Sequence, residues 1–378
     1  MALLFQNIKP IPQTHVFVIG IGGYPYLDKG IRATPQLSGA ARQLGQLSSP
    51  GYSARAFCET VLDLENAGNW QQPLGSLEVL LSPHPEDTIS LPGLTNEAAT
   101  LQNIKDAYWR WKARCDTNAD NIAVFYYCGH GLDNGEHFLL TEDFGRNPHN
   151  PWEGTIAFDS TRRAFFSCKA KTQLFFVDAC RQLTPDMLST QLPLNPIEQP
   201  NLFSKDCLYN LTQKAAAANE SAYGRKNEIS YYTSALIGAL KGNAAEADED
   251  GWCIQLSGIA TKMNELIQAA APESGFFQRC VNFTSDSTII VRLSRPPQVK
   301  VKVMCNPTVA LEKATLYCRD GDDNPVNTRA PESAPWEFSL DAGIYRLGAS
   351  FPQGQYRDKS ILTQMLPPFA KQTLNCML

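Results

Sequence analysis

Two stretches decide how this sequence folds: IAVFYYCGHG (122–131) and LFFVDACR (174–181). Each is an apolar run of strand length that stops abruptly at small, acidic or imidazole-bearing residues. Apolar side chains at consecutive rather than alternate positions mark strands buried on both faces, as in a parallel sheet. Outward from these, Val16 to Ile19 ends at Gly20-Ile21-Gly22-Gly23, and LEVLL (77–81) ends at Ser82-Pro83. Helical patterns lie between the runs, at 37–47, 53–64 and 159–167. The clearest helix begins near Thr95-Asn96 and carries Leu101, Ile104, Tyr108 and Trp111 on one face. This alternation predicts an α/β fold, a mostly parallel sheet flanked by helices, with active groups gathered where the chain leaves the carboxyl ends of strands.

From Gln182 to Gln213 the chain is rich in Pro, Asn, Thr and Ser and reads as one long connecting loop. Order resumes with the small residues Ala215 to Ala218, a helix from about Ser230 to Leu240, and another from about Ile254 to Gln268. After the break at 271–275 the texture changes. Thr288 to Leu293, Val299 to Met304, Thr315 to Cys318, Trp336 to Leu340 and Tyr345 to Ser350 read as short strands divided by turn residues, which predicts a small all-β sandwich at the C-terminus. The expected organisation is one domain over 1–275 and a β-sandwich over 285–378.

The composition is that of an ordinary globular protein: 378 residues, 43% hydrophobic, 19% charged, net charge −5. The basic residues are scattered, so nucleic acid is not the expected ligand. Eleven cysteines with no C-x-x-C pair read as reduced thiols. No apolar run reaches the ~18–20 residues of a membrane span, and Met1 to Pro12 lacks the order of a secretory signal. The expectation is a cytoplasmic protein without membrane contact.

Chemistry concentrates at the two strand ends. A thiol becomes an effective nucleophile when an imidazole takes its proton, and neighbouring strand ends can bring Cys180 and His130 around one carbonyl. The glycines beside His130 let backbone N–H groups approach, so Gly131 and Cys180 are expected to donate to an oxyanion. Singly, each residue has a plainer reading: Cys180 as a buried small apolar group, His130 as a satisfied structural imidazole. Zinc ligation by Cys128, His130 and Cys180 lacks local ligand spacing. Asp248-Glu249-Asp250 reads as a solvated turn, and Trp109 and Trp111 as core and boundary aromatics.

Taken together, YYCGHG (126–131) and LFFVDACR (174–181) resemble the His-Gly and D/Q-A/S-C motifs of caspase-like cysteine peptidases, the family of caspases, metacaspases and their bacterial relatives. Leu37-Ser38-Gly39-Ala40 is similar to a run on the family's first helix. AAAANESAYG (215–224) and SYYTSALIGALKG (230–242) look like its small-subunit strand, loop and helix. The resemblance covers about 12–270, with a large-subunit-like part at 12–181, a linker at 182–213 and a small-subunit-like part at 214–275. It implies a thiol endopeptidase with His130 as general base and acid and Cys180 as the nucleophile that forms a thioester.

The resemblance further implies that Asp178 lines the pocket for the substrate's P1 side chain and selects Arg or Lys. Gln43 stands where metacaspases carry a second acid, Cys128 where they often carry Ser, and Asp159 is single where they tend to pair calcium-binding acids. No cofactor is expected, and calcium dependence is an open question. Ala218, Asn219 and Glu220 would contact substrate, and Lys205, Lys214, Arg225 and Lys226 mark bonds for zymogen processing. Protein substrates, and an upstream activator in signalling or antiviral defence, are the implied partners. The alternative is a catalytically silent caspase-fold scaffold that binds proteins. The C-terminal sandwich, similar to regulatory or PEGA-type modules, shows no chemistry of its own.

Overall fold

A computed structural model describes residues 2–33, 37, 44–95, 97–181, 194–201, 207–218, 220–271 and 278–378. Two compact units emerge: Met1–Ile237 with Gln255–Val291, and Gly238–Ile254 with Arg292–Leu378. Among the described residues no helix is long and apolar enough to cross a membrane.

The first unit is built on a seven-stranded sheet. In spatial order its strands are β1 (Leu3–Gln6), β3 (Leu74–Ser82), β2 (Thr14–Ile21), β4 (Ile122–Cys128), β8 (Thr172–Asp178), β9 (Tyr209–Lys214) and β10 (Val281–Thr284). The five from β3 to β9 run parallel, while β1 and β10 close the edges antiparallel. Every residue of β2, β3, β4 and β8 is buried, as their unbroken apolar runs predict.

Helices α1 (Pro50–Asn66), α2 (Leu101–Cys115), α3 (Phe158–Phe165), α4 (Tyr231–Gly238) and α5 (Leu256–Ala270) connect the strands. Helix α2 buries Ile104, Tyr108 and Trp111 on one face, and the Trp111 ring stacks on Phe165 and lies against Phe17. Each such side chain contributes roughly 1.5–3 kcal/mol when removed from water. Its first turn is capped by Thr100, whose hydroxyl accepts the Asn103 N–H at 3.3 Å, so the helix starts five residues later than Thr95-Asn96 suggests. Leu44–Leu47, within the stretch read as helix 37–47, is not helical, and 38–43 lies outside the described residues.

A small three-stranded sheet extends from β4: β5 (Gly131–Asp133), β6 (His137–Leu140) and β7 (Thr155–Ala157), antiparallel throughout.

Besides the hairpin of Ala245–Asp248 and Gly251–Gln255, the described residues of the second unit form two sheets. One pairs Trp336–Asp341, Gln298–Asn306 and Phe369–Asn375; the other pairs Pro325–Arg329, Thr315–Arg319, Gly343–Ser350 and Lys359–Met365. The strand Gln298–Asn306 alternates buried Val299, Val301, Val303 and Cys305 with more exposed Lys300, Lys302 and Met304, the period of two that a half-buried strand requires. These residues share a core with Leu316, Leu347, Met365 and Leu374.

Candidate active site

Register brings the two motifs together. In the parallel pair β4·β8, Cys128 stands opposite Asp178, so His130 and Cys180 each lie two residues beyond a matched pair at the carboxyl edge of the sheet. The Gly129 N–H donates to the Asp178 carbonyl at 3.2 Å, continuing the ladder one step past the strands. A cavity of about 330 Å³ opens there, and Cys128, His130, Asp178 and Cys180 all line it, with Ala222 to Lys226 on its other side.

His130 is fixed from two directions. Its backbone N–H donates to the Tyr24 hydroxyl at 2.8 Å, and the two rings lie 4.8 Å apart. Its Nε2 is 2.8 Å from the Gly45 carbonyl. A carbonyl only accepts, which assigns the proton to Nε2 and leaves Nδ1 as the basic nitrogen. Burial depresses the imidazole pKa to about 4, against a smaller upward pull from the Gly45 carbonyl. The ring is therefore neutral at physiological pH.

Cys180 is the one cysteine of the eleven that is not buried. Its Sγ receives the Ala222 N–H at 3.3 Å and lies 3.4 Å from the Ala222 carbonyl. Burial raises the thiol pKa, the N–H of Ala222 lowers it and the charge of Asp178 raises it further. Both shifts favour the neutral forms of the thiol and the imidazole, which line the same cavity.

Asp178 is buried, and burial raises its pKa against three hydrogen bonds that lower it. All three converge on Oδ2: from the Ser230 hydroxyl, from Thr233 Oγ1 at 2.7 Å and from Cys128 Sγ at 3.4 Å. Among the described residues Oδ1 has no donor. Arg181 does not neutralise Asp178; its guanidinium pairs instead with Asp133 at 2.7 Å. The Cys128 thiol is pushed well up by burial and by Asp178.

Gly131 sits directly against the backbone of Cys180. A Cβ there would lie 2.6 Å from the Cys180 carbonyl oxygen, 2.7 Å from His137 Nε2 and 2.8 Å from Ala179 Cβ, so only glycine lets β5 approach the backbone of Cys180 this closely.

Other expected positions fall differently. The strand beyond the linker is β9, Tyr209–Lys214, and not the run from Ala215 that resembles the small-subunit strand; Ala215 to Ala218 follow β9 as a turn, with Ala218 exposed and Glu220 half-buried. The last residues of the loop read over 182–213 are thus a central strand. Lys214 is buried at its end with Nζ 2.7 Å from Asp159, which removes the bond after Lys214 as a processing site. The same pairing occupies the lone acid considered for calcium. Arg225 is tied to the Ile229 carbonyl and to Glu228, and Lys226 lies on the cavity wall. Gln43, Asn219 and Lys205 lie outside the described residues. Tyr24, Gly45, Ser230 and Thr233 were not anticipated. They reach the site from distant segments and carry no local motif.

The caspase domain family, peptidase C14, matches residues 74–288, more than half of the chain. This chain belongs to that family. The match holds both motifs of the caspase domain, while β2 and the Gly45 carbonyl precede it. An uncharacterized protein, y4kE, of Sinorhizobium fredii is 29% identical over 321 residues, 78% of this chain and 89% of that protein. A probable protease of a Desulfuromonadales bacterium is 26% identical over 254 residues, 65% of this chain but 29% of that larger protein. A crystal structure from Geobacter sulfurreducens aligns with a TM-score of 0.44 at 11% identity, over 72% of this chain and 94% of that one. The caspase domain and the relative named as a protease support a peptidase acting on protein substrates.

Proposed function

We propose that this caspase domain is a cysteine endopeptidase that works through a Cys180–His130 dyad and prefers Arg or Lys at P1. The observation that carries the reading is one cavity lined by a partly exposed thiol, an imidazole that meets the Gly45 carbonyl through Nε2 rather than Nδ1, and a buried carboxylate. In the acylation step His130 Nδ1 takes the Cys180 proton as Sγ bonds to the scissile carbonyl carbon. The resulting oxyanion is received by the N–H groups of Cys180 and Gly131. Collapse breaks the C–N bond, and the leaving amine takes the proton from His130. Water, deprotonated by His130, then hydrolyses the thioester and restores the thiol. The substrate backbone lies along the segment that follows β9, from Ala218 to Ala222, in the manner of an added strand.

At P1, Asp178 faces a guanidinium or ammonium group. A charge-assisted contact of this kind contributes about 1.5–3 kcal/mol, roughly tenfold to a hundredfold. The bonds after Lys205, in the linker 182–213, and after Arg225 or Lys226 at its edge are the processing points of a zymogen activated by itself or by a signalling or defence partner. No cofactor takes part in the reaction. Cytoplasmic placement follows from the use of eleven free thiols.

The test is hydrolysis of fluorogenic peptides ending in Arg, Lys or Asp. Wild type should cleave Arg best and Lys next. Cys180→Ala and His130→Ala should each remove nearly all turnover, since members of one catalytic unit are not additive. Asp178→Ala should cut the Arg preference about tenfold or more. Full activity in Cys180→Ala would end the mechanism, and an unchanged Arg preference in Asp178→Ala would leave that residue a structural acceptor for Ser230 and Thr233.

A further inference from the structure

The first residue of β6, His137, is wholly buried beneath the nucleophile's loop. Its Nε2 lies 3.0 Å from the carbonyl oxygen of Cys180, and among the described residues its Nδ1 has no hydrogen-bond partner. A carbonyl accepts only, so the proton sits on Nε2. Burial, followed by the charge of Lys214, holds the ring's pKa near 3, with Arg181 adding to the effect and Asp159 and Asp133 opposing it. The imidazole stays neutral and keeps one tautomer, although that leaves a buried lone pair unsatisfied.

The peptide that His137 grips is held at its other end as well. The N–H of Arg181 donates to the Glu220 carbonyl at 3.1 Å, and the Arg181 guanidinium is locked to Asp133 on β5. The ring itself is held by its backbone: the His137 N–H donates to Asp159 Oδ2 at 3.1 Å, and Asp159 is pinned by Lys214. Gly131 provides the space in which Nε2 and the Cys180 carbonyl meet. Three elements thus converge on the peptide that follows Cys180 and hold it relative to the Cα that carries the thiol.

We propose that His137 is a positioning residue: its Nε2–H, given to the Cys180 carbonyl, fixes the peptide after the nucleophile and so aims the thiol at the scissile carbon. The proposal rests on the reading of Cys180 as nucleophile. An apolar ring would fill the same volume without leaving Nδ1 unsatisfied, so it is the bond from Nε2 that gives histidine its use here.

Two variants separate position from packing. His137→Phe keeps a ring and removes the donor. His137→Gln places an amide N–H near the site of Nε2. With an arginine-terminated fluorogenic peptide, the Phe variant should lose about 10–100-fold in kcat with KM within about twofold, the size expected when a reacting group is misplaced. The Gln variant should recover to within about threefold of wild type. Hydrogen exchange at the Arg181 amide, read by mass spectrometry without turnover, should speed up in the Phe variant and return towards wild type in the Gln variant. Wild-type kcat and exchange in His137→Phe would overturn the proposal. So would an equal loss in both variants accompanied by the same fall in Tm, which marks a packing role. Because exchange needs no substrate, a chain that cleaves nothing yet shows this exchange pattern would count against the peptidase reading alone.

Discussion

For His130 and Cys180 alike, burial penalises the ion by more than the Gly45 carbonyl and the Ala222 N–H offset, which favours the uncharged form of each. His130 serves as a base only while unprotonated. Activity should therefore persist as pH falls through the usual imidazole range near 6.5 and disappear only towards about 4, where His130 gains its proton. A kcat/KM profile between pH 3.5 and 8 with the peptide's own charge held constant checks this; an acid limb centred near 6.5 would show a solvated ring instead. The two residues proposed to act were readable because each follows an apolar run with a reactive group. Their supports were not: Gly45 contributes a carbonyl, which every residue has, and Ser230 and Thr233 reach Asp178 across more than fifty positions of chain. His137 stood seven residues from His130 with no feature to distinguish its ring from a core histidine.

Among the elements, β9 shows where hydrophobic patterning fails. Tyr209-Asn210-Leu211-Thr212-Gln213-Lys214 is mostly polar, yet Asn210, Thr212, Gln213 and Lys214 are buried. Each finds a partner instead of an apolar neighbour: Gln213 on Asn282 at 2.6 Å, Thr212 on Asn210 at 3.2 Å, Asn210 on the Gln173 carbonyl at 3.5 Å, Lys214 on Asp159. The strands β2, β3, β4 and β8 were legible by contrast, since each carries a run of apolar side chains, such as Val16 to Ile19 or Leu174 to Val177, that favours burial. The position of β9 between β8 and β10 has a consequence for processing. A cut within 182–193 would leave six matched residues of β8 and β9, from Thr172 opposite Tyr209 to Val177 opposite Lys214, joining the two pieces. Within the stretch read as linker, Ile197 N–H bonds Thr161 Oγ1 at 3.0 Å and Glu198 meets Lys112 Nζ at 2.6 Å. Nicking the chain at a protease site inserted in 182–193 should give fragments that co-elute in gel filtration and part only in denaturant. Separate elution under native conditions would show that the sheet does not hold them.

At the scale of the molecule, the chain passes between its two units three times, at 237/238, 254/255 and 291/292. The change of texture near 275–285 reveals the last β-rich region but not the excursion Gly238–Ile254, whose residues carry no sandwich-like alternation. That excursion belongs with the second unit by its contacts. Trp252 packs against the core of Val299, Leu316 and Leu347, and Gly242, at φ +124°, lies where a Cβ would come 2.7 Å from Pro297 Cβ. Removing Arg292–Leu378 therefore does not excise a terminal domain cleanly: it strips Trp252 and its segment of their packing while leaving them covalently between α4 and α5. A chain ending at Val291 should melt below the full-length protein, by about 2–4 °C for each kcal/mol lost, and should bind an apolar dye that the full-length protein excludes. Replacing 239–253 with a short Gly/Ser linker in the truncated chain should remove most of the dye binding, because it deletes the orphaned apolar surface. A truncated chain with no dye binding, and a Tm equal to that of the linker variant, would show that Gly238–Ile254 stands without the second unit.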